Sequence, residues 1–116
     1  MDSRFRGNDN QTSMLELTKD NFQKEVLESA VPVLVDFFAV WCGPCQMMLP
    51  MVEQLAKDVD AKKAKVAKIN VDEQPELAEK YGVMSIPTFI LFKGGQEVER
   101  LAGSQSKDKL LQILKS

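Results

Sequence analysis

The sequence predicts an α/β domain in which a central mixed five-stranded sheet is flanked by four helices, and three observations predict it. Val33-Leu34-Val35-Asp36-Phe37-Phe38-Ala39 is a nearly continuous apolar run, the pattern of a central strand buried on both faces. Segments of helical spacing alternate with strand-like segments along most of the chain, the order that crossover connections produce. Near the end, two strand-like segments are separated only by Lys93-Gly94-Gly95-Gln96, which marks an antiparallel hairpin.

At the start of the chain, residues 1–13 are polar and aperiodic and are expected to form a flexible N-terminal extension, leaving residues 14–116 as one domain. Met14 to Leu17 is a short apolar strand candidate. Thr18 then caps a helix whose Phe22, Val26 and Leu27 recur at helical spacing and which ends before Pro32. After the Val33–Ala39 strand, a longer helix from Pro44 carries Met48, Met51, Val52, Leu55, Ala56 and Val59 on one stripe, with a kink expected at Pro50. Ala64 to Val71 is a strand, and Pro75 opens a short helix that Gly82 terminates. Thr88–Phe92 and Glu97–Leu101 flank the hairpin turn, and a terminal helix turns Leu110, Leu111, Ile113 and Leu114 inward.

Composition narrows the function. The 116 residues hold 15 basic and 17 acidic side chains, a net charge of −2, which argues against a surface built to neutralise phosphates, so no nucleic acid partner is expected. No stretch approaches the roughly 18 apolar residues of a membrane helix, and the N-terminus lacks the apolar core of a secretory signal, so a cytoplasmic protein without a membrane partner is expected. With no histidine, Ser-His-Asp and Cys-His catalysis are excluded.

Both cysteines lie in Trp41-Cys42-Gly43-Pro44-Cys45. A structural zinc site needs about four ligands and these two thiols have no histidine to complete it, short of a dimer sharing a metal or cluster. A purely structural disulfide closing so short a loop restrains the unfolded chain little. Reversible dithiol–disulfide chemistry is the better reading. Residues three apart on a first helical turn lie roughly 5 to 6 Å apart, a separation a disulfide accepts. The helix terminus favours negative charge, and this acts mainly on Cys42, which becomes the nucleophile. Cys45, deeper in the helix, suits resolution. Pro44 stiffens the helix start and Gly43 permits close approach of another chain.

Asp36 is an acid inside an apolar strand, so it is paired, internally hydrated or partly neutral unless it sits at a strand end facing water. A raised proton affinity beneath the second cysteine would let it take the proton Cys45 must lose, with Lys68 on the neighbouring strand as its candidate partner.

Trp41-Cys42-Gly43-Pro44-Cys45, preceded by Val35-Asp36-Phe37-Phe38-Ala39 and followed by Pro50, resembles the thioredoxin family. So do Tyr81-Gly82-Val83, Ser85-Ile86-Pro87-Thr88-Phe89 and Phe92-Lys93-Gly94-Gly95, and the likeness runs from about Met14 to the C-terminus. The resemblance implies the thioredoxin fold and a disulfide reductase in which Cys42 attacks a protein disulfide and Cys45 resolves the mixed disulfide. No bound cofactor or metal is implied. A partner flavoprotein, thioredoxin reductase, restores the dithiol using FAD and NADPH. The family's buried acid and its lysine match Asp36 and Lys68. Its cis-proline matches Pro87, where the residues alone favour a trans bond. Trp41, Met84, Ile86 and Gly103 match its apolar docking rim for disulfide-containing proteins, and a monomer is expected. Phe38 stands where many members carry a second tryptophan, Gln46 replaces a common basic residue, and Val40 and Leu49 make the surroundings more apolar. A competing reading is a redox-independent assembly subunit that binds through the same rim.

Overall fold

The computed structural model describes residues 14–115, so the expected extension over residues 1–13 lies outside the described residues. In order they form β1 (Leu15–Glu16), a π-helical segment (Gln23–Leu27), β2 (Val33–Phe38), α1 (Gly43–Asp58), β3 (Lys65–Asn70), α2 (Pro75–Lys80), β4 (Thr88–Lys93), β5 (Gln96–Ala102) and α3 (Lys107–Lys115). The strands lie in the order β1-β3-β2-β4-β5, with β1, β3 and β2 parallel and β4 and β5 antiparallel. This is the mixed five-stranded sheet with four helical segments that the residue pattern predicts.

Alternation along the strands sorts side chains onto two faces. Val33, Val35 and Phe37 of β2 join Ala67, Ile69, Ile90 and Phe92 under Phe22, the π-helical segment that follows it and α2, the latter two contributing Val26 and Leu77. Leu34 joins Val66, Phe89 and Leu91 under α1 and α3, which contribute Met48, Val52, Leu55, Leu110 and Ile113. All six residues of β2 are buried, as a central strand covered on both faces requires. Leu111 and Leu114 are half-buried against the second cluster.

The first helix departs from expectation in geometry. The N-cap of the helical segment is Phe22, without a side-chain cap bond, and Thr18 instead closes the turn before it: its carbonyl accepts from the amides of Asn21 and Phe22, and its Oγ1 accepts from the Asp20 amide. The turn then widens, with the Glu28 amide donating to the Gln23 carbonyl at 2.9 Å, five residues back. β1 is also shorter than expected, only two residues. α1 runs unbroken through Pro50, which stands on its exposed side.

Two glycine turns set the direction of the chain. α2 ends as glycine dictates: Gly82 has φ 62°, its amide donates to Glu79, and the Val83 amide reaches the Ala78 carbonyl at 2.8 Å. The chain is thereby aimed along Val83–Ile86 toward the start of α1. Between β4 and β5, Gly94 and Gly95 take φ 60° and 81°, the positive values a two-residue hairpin requires. Among the described residues, no helix is long and apolar enough to cross a membrane.

Candidate active site

The site forms where β2 ends and α1 begins, at the carboxyl edge of the parallel strands. The Cys42 amide donates to the Ala39 carbonyl at 3.2 Å, which closes the connecting turn. Cys42 is the helix N-cap, with extended φ −84° and ψ 111°. Its Sγ accepts from the Cys45 amide at 3.2 Å and its carbonyl accepts from the Gln46 amide at 3.0 Å. Pro44 occupies the first turn, where a missing amide loses no ladder bond. This ordinary helix start brings the two Cα atoms within 5.2 Å, and Cys42 and Cys45 form a disulfide. Cys42 retains 5% of its surface and Cys45 1%. Gly43 and Pro44 between them are exposed.

A second segment faces the cysteines. The Ile86–Pro87 bond is cis, as the family resemblance implies and against the expectation from the residues alone. The Ile86 carbonyl oxygen lies 3.9 Å from Cys42 Sγ. The Pro87 carbonyl accepts from the Gly103 amide at 2.8 Å, and Thr88 Oγ1 donates to the Ser85 carbonyl at 2.6 Å. Gly103 is thus tied to the proline, whereas Met84 projects into solvent with 95% of its surface free. Beside them is a cleft of about 170 Å³ lined by Trp41, Val71, Val83, Met84, Ser85 and Ile86.

Trp41, 68% exposed, is held by a hydrogen bond from its Nε1 to Asp72 Oδ2 at 2.7 Å. The Asp72 amide in turn donates to Oδ1 of the buried Asn70 at 2.9 Å. Sequence reasoning missed Asp72 and Asn70 because they are about thirty positions from Trp41. The available signal was topological: a polar pair closing β3 emerges at the same sheet edge as the residues closing its parallel neighbour β2.

Asp36 is buried, with 1% of its surface exposed, and its Oδ1 has no hydrogen-bond partner. It lies on the α1 face of β2, in register with Lys68 of β3 and Phe89 of β4. Burial pushes its carboxyl up from 3.8 to about 7, and the positive field of Lys68 opposes this. The strand-end alternative is excluded. The expected partnership with Lys68 acts through that field, while the ammonium sits over the Phe38 ring, 5.5 Å from its centroid. Phe38 packs with Ala39, Cys42 and Cys45, and Val71 and Ile86 lie against that cluster. Among the described residues, no group of three or more histidine, cysteine or acidic side chains is placed to hold a metal ion.

A helix-capping cysteine bonded to a second cysteine one turn on, beside a cis-proline whose preceding carbonyl faces it, can accept and return two electrons without rearranging the backbone. The site defines a thiol–disulfide oxidoreductase. The chain belongs to the thioredoxin family, whose sequence model matches residues 13–116. It is 50% identical over 99 residues to thioredoxin 1 of Nostoc sp., covering 85% of this chain and 92% of the relative. It is 54% identical over 94 residues to a thioredoxin of Alicyclobacillus acidocaldarius, covering 81% and 88%. A thioredoxin of Rickettsia bellii is 47% identical over 96 residues, with 83% and 90% covered.

Proposed function

We propose that the protein reduces disulfides in other proteins by a two-step exchange begun by Cys42. In the dithiol form, the Cys42 thiolate attacks one sulfur of the target disulfide, forming a mixed disulfide and releasing the other target sulfur as a thiolate. Cys45 then loses its proton to Asp36 and attacks Cys42 Sγ. The second target thiolate leaves, the Cys42–Cys45 disulfide forms, and two electrons have passed to the target. The observation that carries this reading is the N-capping geometry of Cys42, whose sulfur receives an amide hydrogen bond that would stabilise a thiolate.

The remaining assignments extend that reading. The target segment lies extended beside the Ile86–Pro87 bond, against Trp41, Gly43, Pro44, Met84 and Gly103. Lys68 tunes Asp36 from the neighbouring strand. A thioredoxin reductase, carrying FAD and drawing on NADPH, returns the protein to the dithiol form. The protein itself works as a monomer in the cytoplasm, through the domain at residues 14–116.

The test is capture. Cys45→Ser leaves the first step intact and removes the second, so incubation with insulin is expected to accumulate a covalent complex through Cys42 that dithiothreitol releases. The unsubstituted protein is expected to turn over insulin with NADPH and a thioredoxin reductase. Failure to form that adduct would overturn the two-step reading. Full activity in cells of a protein lacking both cysteines would favour the assembly-subunit reading instead.

A further inference from the structure

Phe38 stands two residues after Asp36 on β2, so both side chains lie on the same face of the sheet. Lys68, in parallel register with Asp36, belongs to that face as well. Its ammonium lies 5.5 Å from the Phe38 ring centroid, within cation–π range. The ring is fixed by burial against Ala39, Cys42 and Cys45, whereas Lys68 is half-buried on a flexible stem. Asp36 Oδ1 meanwhile has no hydrogen-bond partner. From the elements around Asp36, β3 supplies Lys68, the start of α1 supplies Cys42 and Cys45, β4 supplies the apolar Phe89, and α3 buries Leu110 and Ile113 on this face.

We propose that Phe38 is a positioning residue for the proton transfer: its ring seats the Lys68 ammonium where its field reaches Asp36 without closing an ion pair. A closed pair would hold the carboxylate ionised and weaken it as a base, and an unanchored ammonium would swing to water and leave Asp36 protonated. The arrangement rests on the proposed function, in which Asp36 receives the Cys45 proton. Its test therefore reads the carboxyl directly rather than through turnover.

The measurement is a carbon-13 titration of the Asp36 carboxyl in the oxidised protein. Phe38→Leu is expected to raise the midpoint by about 0.5 pH unit, and Phe38→Trp to restore it, since indole is the stronger cation acceptor. In a Lys68→Met background, Phe38→Leu is expected to shift nothing. An equal shift with and without Lys68 would mean that Phe38 acts only by packing, and would overturn the proposal. A measurement on the unsubstituted protein needs no variant to fold: the Lys68 ε-methylene protons are expected upfield from ring current, and ordinary shifts would also overturn it. If these titrations behave as stated while Asp36→Asn leaves the resolution rate unchanged, the seating of Lys68 stands and the base role of Asp36 falls.

Discussion

Cys42 and Cys45 share one helical turn, yet the turn treats them differently. The Cys45 amide points at Cys42 Sγ from 3.2 Å, while Cys45 itself is sealed beneath the helix start. A sulfur that receives an amide bond at a helix N-terminus ionises more readily, and one enclosed by apolar groups less readily. In the proposed exchange, Asp36 takes the proton that the second sulfur must lose. With its carboxyl pushed up to about 7, it changes from acid to base across neutral pH, so mixed-disulfide resolution is expected to accelerate as pH rises through 7. Stopped-flow measurement of that step should show Asp36→Asn slowing it by about 10²-fold near pH 7, the low end of general-base effects, and flattening the rise. An unchanged profile would remove Asp36 from the step. The cysteine spacing and the acid in an apolar run were legible in the sequence because each is a local anomaly. The bond from Trp41 to Asp72 was not, because it joins residues that only the sheet brings together.

Among elements, those with strong local signals appear as the pattern predicts. The apolar run became β2, Pro75 and Gly82 bracket α2, and the paired glycines turn the hairpin. What spacing did not carry was how elements seat against one another. The widening of the first helix to a π turn is one case. Another is the Arg100 guanidinium of β5, which bonds the carbonyls of Tyr81 and Gly82 where α2 ends and also Glu97. Gly95 is the sharpest case. A Cβ there would stand 2.8 Å from the Leu27 carbonyl oxygen at the end of the π-helical segment, in a backbone conformation with φ 81°. Gly95→Ala is therefore expected to destabilise the fold by about 1–3 kcal/mol, read as a lower urea midpoint with the Cys42–Cys45 reaction retained. Stability equal to that of the unsubstituted protein would contradict this close approach.

For the whole molecule, the buried carboxyl links stability to pH. Its ordinary pKa is 3.8 and burial raises it to about 7, so the unfolded chain releases this proton first. The contribution of this group to stability accordingly falls as pH rises from about 4 to about 7 and is flat above, at a cost of roughly 4 kcal/mol by pH 8. Asp36→Ala leaves a small cavity but removes that penalty, so it is expected to stabilise the fold by about 2–4 kcal/mol at pH 8 and not at pH 4. Urea unfolding at both values would show it, and a gain independent of pH would contradict the linkage. The sheet thus carries an ionisable group at a destabilising position under the very helix that presents the cysteines. The most direct test of the central claim, that Cys42 is the sulfur poised to attack, is alkylation of the reduced protein. With limiting iodoacetamide at neutral pH, peptide mapping should find the label on Cys42 well before Cys45, and first labelling of Cys45 would contradict the account.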